Sequence, residues 1–292
     1  MKKSLLLLTA ILICLGTFGQ SRKKPSGFNA KEKAKEQEKF LNKQFWLGFK
    51  AGINLSQADP TVRYSILSPT NYPIGTTNKV YDSFNKVGSQ ASIEVTFYYK
   101  GFSFSTQPTY LHSRFTYSNQ LTWDNPENAK EQLILNYDNE QKLDYADLPF
   151  IIKYDITHNR LRPYVQAGIF YSILINATKS VTVSGQDYAS GGTNQFTNEP
   201  IIVGAKDLFT NYWGLMAGGG ANYNLGNVRL VLDISYRKGM SNIANTKNRY
   251  NNDRLSGIGD VQDDTKLNNI VISAGCLFPM RFLSNSFKAL DK

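Results

Sequence analysis

Cysteine is nearly absent from this chain, and its scarcity removes whole classes of chemistry. Cys14 and Cys276 are the two present. Cys14 falls in an apolar leader, so a processed chain keeps one thiol, which can form neither an internal disulfide nor a thiolate metal cluster. Histidine is as scarce, with His112 and His158 only. The strand pattern set out below places them at opposite ends of the fold. They cannot share a metal there, and no Ser-His-Asp arrangement can be assembled. Long apolar runs are also missing. The longest, Leu5 to Leu15, is shorter than the roughly 20 residues that a membrane-spanning helix requires. The glycines Gly214, Gly218, Gly219 and Gly220 are followed by no Lys-Ser/Thr pair and no helix, so they are not a phosphate-binding loop. They mark bends or close backbone approach instead.

The front of the chain reads as a secretory signal. Met1-Lys2-Lys3 is a charged start, Leu5 to Leu15 an apolar run, and Thr17 and Gly19 are small residues suited to cleavage near Gly19–Gln20. Lipidation at Cys14 is disfavoured because Ile13, just before it, is not small. The predicted organisation is a signal peptide at 1–19, a basic arm at 20–44, a barrel at 45–282 and a tail at 283–292.

Charge concentrates in the arm. The whole chain carries a net +10. Residues 20–44 hold Arg22, Lys23, Lys24, Lys31, Lys33, Lys35, Lys39 and Lys43 against Glu32, Glu36 and Glu38. Residues 29–43 are rich in helix formers, with Asn29 and Glu32 spaced as a capping box. Their apolar positions are few, Phe40 and Leu41 among them, so a helix there is marginal without a docking surface. An exported chain does not meet nucleic acid, which excludes that reading of the charge. The arm reads instead as a periplasmic segment able to dock on an acidic partner or on anionic headgroups.

What fills the rest is a rhythm. Eight stretches alternate apolar and polar residues: 45–56, 87–98, 102–112, 143–154, 162–175, 209–225, 227–237 and 267–282. In the first, Phe45, Leu47, Phe49, Ala51, Ile53 and Leu55 face one way, and Trp46, Gly48, Lys50, Gly52, Asn54 and Ser56 the other. Period two over about 9–11 residues suits a tilted membrane strand. Connections near Lys100, Thr157 and Gly226 are short. Those at about 57–86, 113–141, 177–208 and 239–266 are long. The pattern predicts an all-β fold, an eight-stranded antiparallel transmembrane β-barrel with tight periplasmic turns and long outer loops, carrying a short N-terminal helical arm. Both termini fall in the periplasm of a Gram-negative cell, and the barrel sits in the outer membrane against lipid and lipopolysaccharide. Aromatics fall at both strand ends, as an interface belt requires. The inner ends carry Phe45, Trp46, Tyr98, Tyr99, Phe102, Tyr154, Tyr164, Tyr223 and Phe278, and the outer ends Tyr110, Tyr145, Tyr171, Tyr212, Trp213 and Tyr236. Cys276 falls on the lipid-facing side. Pro149, inside the fourth strand, predicts a bulge or kink there.

The opposite face of the strands carries charge. Lys50, Glu94, Asp147, Lys153, Arg229, Asp233 and Arg237 all take lumenal positions. Eight strands enclose a space that side chains can fill, and unpaired buried charge is expensive, so opposite charges are expected to pair. Pairing of this kind is structural, since catalysis also needs an accessible pocket. Asp253, Asp260, Asp263 and Asp264 in the last long connection could offer oxygen ligands to Ca²⁺, but their spacing matches no fixed motif, and a solvated loop is the simpler reading. No cofactor is implied.

Several segments resemble a known family. Trp46-Leu-Gly-Phe-Lys-Ala-Gly-Ile-Asn-Leu-Ser56 resembles the first strand of the PorT-like outer-membrane barrels of Bacteroidetes. Tyr145-Ala-Asp-Leu-Pro-Phe-Ile-Ile-Lys-Tyr154 is similar to that family's Y-L-E-I-P-L-L-L-K strand. Arg162-Pro-Tyr-Val-Gln-Ala-Gly168 and Tyr236-Arg-Lys-Gly-Met-Ser-Asn-Ile243 resemble its following strand and its Y-x-x-G-L-T-N-I strand exit. The resemblance implies a barrel of the porin or outer-membrane-protein type, whose namesake is an accessory of type IX protein secretion. The arm 20–44 and the tail 283–292 depart from the minimal family pattern. Three functions follow as expectations: a non-enzymatic structural or accessory barrel contacting other envelope proteins; a small porin or uptake barrel; and a membrane-embedded enzyme, which would need an outward nucleophile and base that the sequence does not offer.

Overall fold

A run of inward and outward side chains becomes a wall only if each strand finds two neighbours, and here every long strand does. The computed structural model describes residues 43–65, 79–128, 130–157, 160–189, 192–225, 228–250 and 261–280. Their strands are β1 (Lys43–Val62), β2 (Val80–Tyr81), β3 (Ser83–Tyr99), β4 (Phe102–Thr106), β5 (Thr109–Asp124), β6 (Gln132–Asp155), β7 (Leu161–Asp187), β8 (Asn194–Thr197), β9 (Ile201–Gly204), β10 (Tyr212–Leu225), β11 (Val228–Gly239) and β12 (Asp264–Pro279). All pairings are antiparallel. β1 bonds to β12 on one side and β3 on the other. The order continues through β4 and β5, which together form one stave, to β6, β7, β10, β11 and back to β12. Eight staves thus close a ring among the described residues, the architecture predicted from the alternation.

The turn between β3 and β4 follows from its residues. Lys100 (φ 46°) and Gly101 (φ 93°) are both left-handed, which a two-residue hairpin needs to match the twist of its strands. Glycine carries the more extreme angle.

Three expectations need correction. First, the outer connections are shorter than predicted, because the strands run on. β6 has 24 residues and β7 has 27, and the β5–β6 turn is confined to 125–131. Beyond the membrane band the outward face turns polar at Arg114, Thr116, Ser118 and Gln120, while Phe115, Tyr117 and Leu121 point inward with Ser113 and Asn119, so the apolar side changes from outer to inner face while strand pairing continues. On β7, Ile175 has no partner in the register between Leu174 and Asn176. This bulge switches the inward positions from even to odd numbers, so Ala177, Lys179 and Val181 point in.

Second, Pro149 does not bulge its own strand. It keeps register with Phe170, and the irregularity lies opposite, at the Gln107–Pro108 break between β4 and β5. Gln107 N–H donates to the Pro149 carbonyl at 3.4 Å. Pro149 has no N–H to return, and the Gln107 carbonyl accepts from the Thr109 hydroxyl instead, at 2.6 Å.

Third, the girdles are thinner than predicted. Trp46, Tyr98, Tyr145, Tyr164 and Tyr212 are buried in the lumen, in phase with its charges. Phe45, Tyr99, Phe102, Tyr154, Tyr223 and Phe278 remain exposed at the inner ends, and Tyr110, Tyr171, Trp213 and Tyr236 at the outer ends. Between them lies an apolar outer wall. Phe49 is 61% exposed, Phe150 56% and Leu232 57%, which is untenable in water and natural in lipid.

Glycines let some staves approach closely. A Cβ at Gly220 would lie 2.6 Å from the Tyr164 hydroxyl, so glycine there makes room for an inward tyrosine. The leader 1–19, arm residues 20–42 and the tail 283–292 lie outside the described residues. So do Arg22, Lys23, Lys24, Lys31, Lys35, Lys39 and Phe40, while Lys43 opens β1.

Candidate functional site in the lumen

The seven predicted lumenal charges are all buried, each at 4% exposure or less. Strand alternation carries them inward, and the ring brings distant strands face to face. Lys50 on β1 reaches Glu94 on β3 at 2.9 Å and also Asp233 on β11. Glu94 reaches Lys153 on β6 at 2.7 Å and accepts from the Thr96 hydroxyl at 2.7 Å. Asp233, Lys50, Glu94 and Lys153 therefore form one chain of alternating sign across the barrel. Arg237 pairs with Asp147 at 2.6 Å and lies over the Phe170 ring at 4.2 Å.

Arg229 is arranged differently. Its guanidinium stacks on Trp46 at 4.1 Å, and its Nε donates to Asn224 at 2.8 Å. Arg162 and Asp155 sit nearby, 3.7 Å apart, with Arg162 over Tyr98 at 5.9 Å. Trp46, Tyr98, Tyr164, Val231 and Leu277 form the small apolar cluster that holds these cations at the inner end. Asp155 and Arg162 were not singled out from the sequence, although they alternate in phase with Lys153 and Tyr164.

The outer half of the lumen packs an apolar cluster beside buried polar groups, among them Lys179, whose ammonium donates to the Tyr117 hydroxyl at 2.7 Å, and Asn54, which donates to Ser113 at 3.0 Å. Leu111, Phe115, Leu143, Tyr145 and Val181 meet Ala205, Leu208, Phe209 and Ile243, which come from segments folded into the mouth. Those segments are tied down by backbone bonds from Thr210 N–H to Ile243 at 2.8 Å, Asn245 N–H to Leu208 at 2.8 Å and Ile243 N–H to Thr265 at 2.8 Å.

Above this layer the candidate Ca²⁺ ligands are engaged otherwise. Asp263 is fully buried and accepts from the Lys79 ammonium at 3.1 Å, the Tyr81 hydroxyl at 2.9 Å and the Tyr64 N–H at 2.8 Å. Burial pulls the Lys79 ammonium below the usual lysine range, against the pull of Asp263. Burial likewise pushes the Tyr81 hydroxyl well above its ordinary value, with Asp263 adding to the shift. Asp264 pairs with Arg249, whose guanidinium lies 3.8 Å over Tyr64. Asp263 and Asp264 are thus neither solvated loop residues nor a free metal-ligand pair. Asp253 and Asp260 lie outside the described residues. The cations that hold these two carboxylates sit in aperiodic segments, where no pattern could have announced them.

His112 faces outward on β5 and hydrogen-bonds Asp144 through Nδ1 at 2.6 Å, while the Tyr110 hydroxyl donates to the same carboxylate at 2.9 Å. This pairing was missed from the sequence because the two residues meet only across the β5–β6 ladder. His158 lies outside the described residues.

A closed antiparallel ring with an apolar outer wall, aromatic borders and a packed polar lumen defines a transmembrane β-barrel. The chain belongs to the outer membrane protein beta-barrel domain family, whose description matches residues 18–245, and its place is the outer membrane. β12, which closes the ring, lies past the matched region. Among solved structures, the chain is similar to Neisserial surface protein A at 14% identity, covering 80% of this chain and 96% of that one, with a TM-score of 0.32. It is similar to outer membrane protein W of E. coli at 10% identity, covering 80% and 97%, with a TM-score of 0.33. It is also similar to the attachment invasion locus protein Ail of Yersinia pestis at 11% identity, covering 80% and 99%, with a TM-score of 0.28. These likenesses are loose and speak to neither substrate nor partner. No curated protein matches the chain.

Proposed function

We propose that this chain is a closed, non-enzymatic outer-membrane barrel that serves as a structural or accessory subunit of an envelope assembly. Its lumen supports this reading, because ion pairs, buried polar groups and an apolar cluster fill it from the inner end to the mouth. A packed lumen leaves the wall, the rims and the arm as the surfaces with which to work. In this reading residues 1–19 are removed on export and both termini lie in the periplasm. The basic arm 20–44 docks on acidic envelope proteins or on headgroups. The PorT-like resemblance of Trp46–Ser56 and Tyr145–Tyr154 makes protein secretion the process to which such a subunit is best suited.

Planar-bilayer recording of the purified protein tests closure. The expected result is a quiet membrane. Large, steady single-channel currents would overturn this reading in favour of a porin.

A further inference from the structure

Beyond the outer girdle, β5, β6, β7 and β8 continue as a sheet whose two faces differ in kind. Gln120, Thr122, Asn136 and Asp138 lie on the outer face. The inner face carries Trp123 opposite Leu133, Leu121 opposite Leu135, and Leu135 opposite Gly185. Gly185 in turn lies opposite Phe196, and a Cβ at Gly185 would sit 2.7 Å from that ring, so the phenyl group covers the glycine. Lower down, Tyr137 and Val183 join this face to the apolar core. Towards the tip burial falls away: Leu121, Leu133, Leu135 and Phe196 are half-buried and Trp123 is 50% exposed. An apolar face that leaves the core and stays open beyond the membrane marks an interaction surface.

The rim of this face has a sign. Asp124, Glu127, Glu131 and Asp187 stand around it against Lys130. An acidic border disfavours anionic headgroups and complements basic side chains. We propose that the inner face of this sheet docks a cationic amphipathic segment of a partner polypeptide, with its apolar side on Leu121, Trp123 and Leu135 and its basic residues towards the acidic rim. The surface lies at the end of the barrel opposite to Lys43, where β1 begins beside Tyr99 of β3.

The experiment uses the full-length protein in phosphatidylcholine nanodiscs, with empty discs as the baseline, and a labelled peptide of alternating leucine and lysine as the probe. Saturable binding is expected, followed by fluorescence anisotropy. The paired variant Leu121→Ser/Leu135→Ser should weaken it by about tenfold or more, as loss of a central apolar contact does. Where that pair fails to keep the heat-dependent gel mobility of a folded barrel, Leu135→Ala takes its place. The variant Asp124→Asn/Glu127→Gln/Glu131→Gln should weaken binding and flatten its dependence on salt, since the screened attraction is gone. Binding no greater than to empty discs, or unchanged binding in either the apolar or the rim variant, would overturn the proposal.

Discussion

At the scale of single residues, Glu94 bears the most weight. It is fully buried, and its two oxygens face two ammonium groups, Lys50 at 2.9 Å and Lys153 at 2.7 Å. Removing its charge strips Lys153 of the carboxylate that pairs with it and leaves Asp233 alone to offset Lys50. Glu94→Gln should therefore cost about 3–5 kcal/mol, the range for stripping one partner from a buried pair. Asp147→Asn, which strands a single guanidinium already resting on Phe170, should cost less. Urea unfolding from lipid vesicles measures both, and equal, negligible losses would show that water screens the lumen. Parity alone made this network legible in the sequence, because each of the seven charges alternates in phase with its strand. What parity could not give was the pairing. Nothing in the spacing of Lys50 and Asp233 says that the ring will set them against each other.

At the scale of elements, the alternation was legible only where the two faces differ chemically. The band between the girdles faces lipid, so its inward and outward residues contrast. Above it the outward face turns polar and the apolar side chains point inward instead, so the pleated strand no longer shows the apolar outer face of a membrane strand, which is why β6 and β7 outrun their predicted ends. The bulge at Ile175 hid β7 further by reversing its parity midway. The aromatics mislead for a related reason. Being aromatic and terminal does not say which way a ring points, and Trp46 and Tyr98 follow the parity of their strands into the lumen. Pro149 gives a testable case of compensation between neighbours. Since the proline cannot donate to the Gln107 carbonyl, the Thr109 hydroxyl does. Thr109→Val should leave that buried carbonyl without this donor and destabilise the barrel by about 1–3 kcal/mol. Thr109→Ser should be close to neutral. A valine variant as stable as the parent in the same urea titration would mean that another group serves the carbonyl.

At the scale of the whole molecule, the barrel and the arm can be separated by experiment. Deleting residues 21–40 leaves every described strand in place, so the truncated protein should insert and resist heat in detergent as the parent does. Envelope proteins that co-purify with the parent should be lost, and the parent itself should lose them as salt rises, because exposed charge contacts are screened. Retention of every partner at all salt concentrations would make the arm a spacer and leave contact to the outer surfaces. The ion-paired lumen also sets a timetable for folding. Lys50 belongs to the first strand, while its partner Asp233 belongs to the penultimate one, 183 residues later. Of the two counterions of Lys50, Glu94 on the neighbouring β3 is at hand early, but Asp233 is out of reach until the last strands arrive, and the loop to be closed is nearly the length of the barrel. Folding dominated by such distant contacts is slow. The first strand cannot settle before the last hairpin, so insertion becomes a concerted closing step rather than a strand-by-strand growth, and a nascent chain would have to be held open until its final strand is delivered.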